Sequence, residues 1–221
     1  MWYNIFPMRL RTKIFLAVLP AVLLGSSWAA YDLWARMQAR ERIKSAPERE
    51  EQEDDPDDAC YMGWHYNRQK EYDKAFPYFL KAANGGVVSA MCQLGWMYKS
   101  GTGVKRDLEE SLRWYRLAEA NGNLWGTLGI AGAYDKGLAL PVDHAKAFEL
   151  YMKIVTTMGA TSGVQGMAAF ELGRHFEQGV ERPADKVEAI KWYRIAAAST
   201  GSFGAAPRAQ ARLKALGTPW P

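Results

Sequence analysis

The segment at residues 90–122, AMCQLGWMYKSGTGVKRDLEESLRWYRLAEANG, decides the fold because its pattern recurs along the chain. The pattern contains a Leu-Gly pair, a tyrosine three residues later, a glycine, an aspartate and an aromatic pair. Alignment on the second residue of the Leu-Gly pair gives four copies, spaced by 32, 36 and 42 residues, with the anchors Gly63, Gly95, Ala131 and Gly173. Repetition at this period predicts stacked units that share one core, an architecture that usually binds rather than catalyses.

Each copy predicts two helices, A and B, separated by a turn. Glycine enters the left-handed conformation at a helix C-terminus without a steric penalty, and the glycines expected to end helix A are Gly101, Gly137 and Gly179. An aspartate can accept hydrogen bonds from the free amides of a first helical turn, and the aspartates expected to cap helix B are Asp107, Asp143 and Asp185. Asp107 with Glu110, and Asp185 with Glu188, also have the spacing of a capping box. These aspartates are therefore interpreted as caps, not as catalytic carboxylates.

This set of positions resembles the Sel1-like repeat family, relatives of the tetratricopeptide repeats, from residue 59 to about residue 201. The segment quoted above is the clearest match, and residues 168–201, AAFELGRHFEQGVERPADKVEAIKWYRIAAASTG, are almost as good. The first copy has a shorter inter-helix loop, and the third has Ala131 and Leu150 in place of Gly and Trp. The resemblance implies an all-α fold, a right-handed α/α solenoid of about four helix-turn-helix repeats that binds other proteins.

The repeats are expected at about residues 59–89, 90–125, 126–167 and 168–204, followed by a capping helix at 205–217. The spacing between the third and fourth anchors is the longest, and we assign the extra length to residues 160–167, ATSGVQGM. Their small polar residues favour a projecting loop. The formal net charge is +4, but the one basic cluster beyond the N-terminus is Arg208, Arg212 and Lys214 on the capping helix. We interpret it as a polar face at the end of the solenoid, and we expect no nucleic-acid binding.

Residues 1–35 are expected to form an N-terminal apolar helix that directs the chain to a membrane. Residues 14–31 carry no charge and follow Arg9, Arg11 and Lys13, as in a signal peptide cleaved after Ala29 or a retained membrane anchor. Residues 36–58 are rich in charge, mostly acidic, and predict a flexible linker. We expect a cell-envelope protein, periplasmic or anchored in the inner membrane with the solenoid outside the cytoplasm. Because basic residues flank the apolar run on both sides, a solenoid facing the cytoplasm is the alternative.

The sequence predicts no catalytic residue, no metal site and no cofactor. The chain has three histidines, His65, His144 and His175, too few and too scattered to predict a metal site or a triad. Cys60 and Cys92 lie at the same position of adjacent A helices, which places them about 8 to 10 Å apart. A disulfide requires Cα atoms closer than about 7 Å, so both are expected to be free thiols.

A stripe along helix A, opposite the side that packs on helix B, is expected to line a concave groove. Its residues lie three before, one after and four after each anchor: Cys60, Trp64, Asn67, Cys92, Trp96, Lys99, Leu128, Gly132, Asp135, Phe170, Arg174 and Glu177. Trp64 and Trp96 occupy the same position in adjacent copies, and exposed neighbouring aromatics are typical of binding hot spots. Packing of these indoles on a neighbouring helix, on the linker or on one another is the alternative.

The predicted function is therefore that of a monomeric, non-enzymatic scaffold or adaptor that binds a protein or peptide in this groove and meets the membrane through its N-terminal segment. Some bacterial members of the resembled family look like periplasmic immunity proteins. The alternative is thus an immunity protein that neutralises a secreted toxin or phospholipase effector. An enzyme, or a subunit of an enzyme complex, is the distant alternative.

Overall fold

Nine α-helices and no β-strand form the part of the chain that the computed structural model describes, residues 55–157, 163–199, 204–218 and 220. The helices are α1 (Pro56–Arg68), α2 (Tyr72–Asn84), α3 (Val88–Ser100), α4 (Leu108–Ala120), α5 (Leu124–Lys136), α6 (His144–Thr157), α7 (Gly163–Gln178), α8 (Lys186–Ala197) and α9 (Ala205–Ala215). The A helices of the four repeats are α1, α3, α5 and α7, and each is followed by its B helix. The prediction of an all-α solenoid is confirmed.

The predicted N-terminal apolar helix and most of the predicted linker lie outside the described residues. α1 begins at Pro56, three residues inside the segment expected to be a flexible linker. The Asp55 side chain caps α1 by accepting a hydrogen bond from the Asp57 amide at 2.9 Å, and proline at a first helical position favours this start. Within the described ranges, every helix is too short or too polar to cross a bilayer.

One backbone hydrogen bond joins helix A to helix B in every repeat. The carbonyl of the aromatic residue near the end of helix A accepts from the amide of the residue just before helix B. The acceptor and donor residues, with N···O distances of 2.9 to 3.0 Å, are Tyr66 and Glu71, Tyr98 and Asp107, Tyr134 and Asp143, and Phe176 and Asp185. The same bond closes the turn of all four hairpins, including the first, whose inter-helix loop is shorter.

The aspartates cap the B helices as predicted. Asp107 accepts from the amides of Glu109 and Glu110, both at 3.0 Å, and Asp143 accepts from the Lys146 amide at 2.8 Å. Asp185 makes the same bonds at the start of α8. The glutamate half of the capping box is a wrong prediction. Because the Asp107 amide already donates to helix A, the Glu110 carboxylate pairs instead with Arg113 at 2.9 Å.

The core of each hairpin is an aromatic ring from helix B set against the small anchor residue of helix A. Phe79 lies against Gly63, and Tyr193 lies against Gly173, and both rings are at most 1% exposed. In the third repeat the anchor Ala131 is fully buried in the same cluster as Tyr151. Burial of one such ring contributes about 1.5 to 3 kcal/mol. Small anchors are thus needed to bring the two helices close.

The segment predicted as a projecting loop is partly helical. α7 begins at Gly163, and Val164, Gln165 and Gly166 are buried. A Cβ at Gly166 would lie 2.1 Å from Ser199 Oγ, so this glycine lets α7 approach the chain after α8. The capping helix forms at α9, whose buried residues Ala205, Ala209 and Leu213 follow the helical period.

Candidate functional site

Two tryptophans of the predicted groove are exposed on neighbouring A helices. Trp64 on α1 is 38% exposed, and Trp96 on α3 is 39% exposed. Their helices touch on this side through Asn67, which accepts from Gln93 Nε2 at 3.3 Å. Trp64 also packs edge-on against the Phe79 ring, with ring centroids 5.3 Å apart. Trp64 thus packs on helix B, as the alternative describes, while both indoles remain partly exposed.

A lysine stands one turn after Trp96 on the same stripe. Lys99 is partly buried, and its Nζ lies 5.8 Å from the centre of the Tyr115 ring. Burial, together with the nearby charge of Lys136, lowers the pKa of Lys99. We call the surface formed by Trp64, Asn67, Trp96 and Lys99 the tryptophan face. The tryptophans provide its apolar area, and the Lys99 ammonium lies on the side of α3 that faces Tyr115 and α5.

The two cysteines of the stripe are free thiols. Cys60 is 8% exposed, and its Sγ lies 3.5 Å from Ser89 Oγ. Cys92 is partly buried, and burial raises the pKa of its thiol to about 11. A thiol with this pKa is protonated at neutral pH, so Cys92 is a poor nucleophile and a poor metal ligand.

Several other stripe residues do not line an open groove, which corrects the prediction for the third and fourth repeats. Asp135 and Phe170 are each 6% exposed. Phe170 is covered because α9 folds back on α7 and places the Arg208 guanidinium 4.0 Å from the centre of its ring. Leu128 packs on the core of the third repeat, whereas a Cβ at Gly132 would meet open space.

Glu177 is also engaged by α9. It forms an ion pair with Arg212 and accepts a hydrogen bond from the Tyr193 hydroxyl at 2.7 Å. Burial by itself would raise the pKa of Glu177, but the hydrogen bonds from Arg212 and Tyr193 hold it below its ordinary value. Two of the three basic residues of α9, Arg208 and Arg212, thus bind carboxylates of α7. This end of the predicted groove is closed by the chain itself.

Asp135 is the centre of a buried polar cluster. Its Oδ1 lies 2.8 Å from His175 Nε2 and 3.0 Å from His144 Nδ1, and its Oδ2 is paired with Arg174. Arg174 also donates through Nε to Glu171 Oε2 at 2.8 Å. We call these five residues the Asp135 cluster. It joins the A helices of the third and fourth repeats.

The electrostatics of the cluster favour an ionised Asp135. Burial alone would raise the pKa of this carboxyl. The hydrogen bond from His175, the charge of Arg174 and the hydrogen bond from His144 outweigh burial and keep the pKa below its usual range. Asp135 and His175 have side chains only 1% exposed, whereas His144 is 33% exposed at the start of α6.

The description of the three histidines as scattered is wrong for two of them. The rings of His144 and His175 have centroids 5.9 Å apart, although 31 positions separate the residues in sequence. No local motif connects residues at that separation. The available signal is the repeat register, which places Asp135 and Arg174 on the same stripe of successive A helices with opposite charge.

Comparison with known proteins matches the repeats directly. A model of the Sel1 repeat family matches residues 58–87, 88–123, 128–153 and 166–200. A Sel1-like repeat-containing protein of Acanthamoeba polyphaga mimivirus is 30% identical over 94 residues, which are 42% of this chain and 17% of that protein. A chitin synthase regulator of Saccharomyces cerevisiae is 38% identical over 53 residues, which are 24% of this chain and 8% of that protein. The matched regions thus span less than a fifth of either relative.

Two solved structures have the same fold. A Sel1 repeat protein from Oxalobacter formigenes superposes with a TM-score of 0.65 and 22% identity, covering 83% of this chain and 76% of that one. A protective antigen present in uropathogenic Escherichia coli strains, which displays an SLR fold, superposes with a TM-score of 0.55 and 26% identity. That alignment covers 86% of this chain and 37% of the antigen.

Proposed function

The chain belongs to the Sel1 repeat family, and from this premise we propose that it is a non-enzymatic scaffold or adaptor that binds a partner protein on the tryptophan face. Sel1 repeats generally mediate protein–protein interaction. Our proposal adds to this which surface of the chain the partner contacts and where in the cell the contact takes place.

The observation that carries the proposal is the exposure of Trp64 and Trp96 at the same position of adjacent A helices. Among the described residues, the other exposed large apolar side chains lie elsewhere, and these are Leu117, Val142 and Val187. Tryptophan is enriched at binding hot spots because its large ring loses much contact with water when a partner covers it. Two such rings on one face favour a binding surface there.

The charge of Lys99, one helical turn after Trp96, supports a proposal for the chemistry of the partner. Lys99 is partly buried and lies close enough to Lys136 for the two charges to repel each other. A carboxylate on the partner would relieve this repulsion and would gain strength from the reduced exposure to water. The best fit is a protein segment that presents an apolar side chain next to an acidic one.

Affinity capture from a membrane fraction tests this proposal. The bait is the full chain, as wild type, as Trp96→Ala and as Leu117→Ala. Leu117 is the matched control because it is 37% exposed but lies on the B helix α4. We expect one partner to be retained by wild type and Leu117→Ala and to be lost by Trp96→Ala. The expected loss is about 2 kcal/mol, or roughly 30-fold in Kd.

The proposal is contradicted if Trp96→Ala retains every partner at wild-type affinity while its melting temperature shows that it is folded. Equal loss with Leu117→Ala would also contradict it, because the tryptophan face would then have no special role.

We also propose that the solenoid is held in the cell envelope by its N-terminal segment. The support is the uncharged run at residues 14–31 behind three basic residues. Fusion of a reporter enzyme after residue 221, active on one side of the membrane only, tests the orientation. Intact-mass measurement of the purified protein tests cleavage near Ala29. A reporter active only in the cytoplasm would support the opposite orientation and contradict export.

A further inference from the structure

Three side chains from three consecutive helices converge at the junction of the third and fourth repeats. Asp135 comes from α5, His144 from α6 and His175 from α7. Each offers one ligand atom, and the three atoms all lie within 4.8 Å of one another. We propose that Asp135, His144 and His175 form a binding site for a divalent transition-metal ion of the Zn²⁺ class.

The donor atoms suit this class of ion. Two imidazole nitrogens and one carboxylate oxygen are ligands that Zn²⁺ accepts, whereas Mg²⁺ and Ca²⁺ prefer oxygen ligands alone. Zn²⁺ binds such atoms at about 2.0 to 2.2 Å, which places the ligands of a tetrahedral ion about 3.3 Å apart. Asp135 Oδ1 lies 2.8 Å from His175 Nε2 and 3.0 Å from His144 Nδ1. Movement of Asp135 Oδ1 away from both nitrogens by a few tenths of an ångström would bring these two distances to that value, and the two nitrogens lie within 4.8 Å of each other.

The surroundings hold the ligands in place. Arg174 engages Asp135 Oδ2 and leaves Oδ1 directed at the two histidines. Glu171 pairs with Arg174 Nε at 2.8 Å, so the arginine charge is compensated and repels a cation less. The rings of Tyr151 and Phe148 flank His175 at centroid distances of 5.9 and 6.3 Å. Outer partners of this kind orient metal ligands and contribute to affinity.

Proton positions allow the histidines to act as ligands. A neutral imidazole carries its proton on either ring nitrogen. Binding requires His144 Nδ1 and His175 Nε2 to present lone pairs, so each proton moves to the other nitrogen of the same ring and the total is unchanged. His175 Nδ1 is buried without a hydrogen-bond partner among the described residues, so the proton that moves there gains no acceptor, and the bond to the ion must compensate for this cost.

The site is open on one side. The His144 side chain is 33% exposed, while those of Asp135 and His175 are 1% exposed. An ion would therefore enter past His144, and its fourth coordination position would be filled by water or by a group of a partner protein. Because the three ligands lie on α5, α6 and α7, a bound ion would clamp the third repeat to the fourth.

Metal titration of the untagged full chain tests the proposal. The chain has three histidines, which provides a matched set of variants. His144→Ala removes the most exposed ligand, and His144→Gln removes the imidazole but keeps a hydrogen-bond donor beside Asp135. His65→Ala is the control, because His65 lies on α1 and contacts Gln69 at 2.7 Å, away from the cluster. Binding of Zn²⁺ is measured by calorimetry, and Co²⁺ is the spectroscopic probe.

We expect wild type and His65→Ala to bind one Zn²⁺, to melt at a higher temperature with the ion, and to give the visible absorption of four-coordinate Co²⁺. Both His144 variants should bind at least about tenfold more weakly, since loss of even an outer-shell partner costs about 10- to 100-fold. The proposal is overturned if wild type binds no Zn²⁺, if both His144 variants bind within tenfold of wild type, or if His65→Ala loses binding. If a His144 variant fails to fold, absence of Zn²⁺ binding by wild type or its loss in His65→Ala still overturns the proposal.

Discussion

The ring of Tyr115 lies between Gly95 of α3 and Gly129 of α5. A Cβ at Gly95 would lie 2.7 Å from Cδ1 and Cε1 of the ring, and a Cβ at Gly129 would lie 2.5 Å from its Cγ. Real side chains essentially never approach this closely, so both positions require glycine unless the ring moves. One buried ring therefore joins the A helices of two successive repeats.

Replacement of Gly95 by alanine is expected to destabilise the protein. The added methyl group overlaps the buried Tyr115 ring, and overpacking of this kind costs about 1 to 3 kcal/mol. The expected result is a lower midpoint in urea denaturation followed by circular dichroism. Gly132→Ala is the control, because that glycine lies inside α5 and a Cβ there would meet nothing within 4 Å. The control should gain about 0.5 to 1 kcal/mol, and equal effects at both sites would contradict the overlap.

Removal of a helix cap should cost stability and nothing else. Asp107→Ala leaves the amides of Glu109 and Glu110 without the acceptor they have at 3.0 Å, and we expect a loss of about 1 kcal/mol in the free energy of unfolding. Asp107→Asn keeps an acceptor oxygen and should lose much less. If partner binding fell while thermal stability stayed constant in Asp107→Ala, the aspartate would have a role other than capping.

Stability should fall in acid because of Asp135. Its pKa is held below the ordinary carboxyl value of about 3.9, so the unfolded chain takes up this proton at a higher pH than the folded protein does. The stabilisation is therefore present above about pH 4 and is lost as the pH falls through the folded pKa. Glu177 contributes in the same direction. Thermal melting as a function of pH measures the effect.

Asp135→Asn identifies the source of this acid sensitivity. The free energy of unfolding of the variant should be about 2 kcal/mol lower at neutral pH, because Arg174 and two histidines lose a charged acceptor. Its melting temperature should also fall less steeply than that of wild type as the pH is lowered. Asp73→Asn, at an exposed position of α2, is the control and should follow wild type. An unchanged slope in Asp135→Asn would show that other carboxylates control the acid transition.

The two tryptophans should differ in their effect on stability. Trp64 packs on the Phe79 ring with centroids 5.3 Å apart, so Trp64→Ala should lower the melting temperature by the equivalent of about 1 kcal/mol or more. Trp96 makes no ring contact of this kind among the described residues, and Trp96→Ala should change the melting temperature less. Calorimetry of the two variants side by side makes the comparison. A larger loss for Trp96→Ala would place that indole in the core.

Both cysteines should react slowly with thiol reagents in the native protein. Burial raises the pKa of Cys92 to about 11, so little thiolate is present at pH 8, and Cys60 is only 8% exposed. Addition of denaturant without reductant should release two reactive thiols per chain. Rapid reaction of one thiol in the native state would show that α1 or α3 opens.

The helical hairpins could be predicted from the sequence because their determinants act within a few residues. Asp107 caps the helix that it precedes, and Gly101, at φ 72°, ends α3 in the left-handed conformation. The capping-box prediction failed for Glu110 because the amide it would have bonded is taken by the Tyr98 carbonyl nine residues earlier. That bond depends on how helix A and helix B meet.

The exposure of the predicted groove residues depends on whether another helix folds back onto them. Trp64 and Trp96 are exposed as a helical stripe requires, but α9 covers Phe170 and binds Glu177. The composition of the sequence predicted a polar capping helix. It could not show which residues of the preceding helices that helix would contact.

By itself, the sequence determined the repeat, its register, the caps and the family, because periodic small and aromatic residues specify each hairpin through short-range contacts. Only the tertiary structure decided that Asp135, His144 and His175 meet, since they lie on three helices whose mutual rotation depends on packing. The same packing decided which charged side chains form ion pairs within the chain. Trp64, Trp96 and Asp135 lie on one stripe in the sequence, and stacking of the repeats left the two tryptophans exposed and buried Asp135.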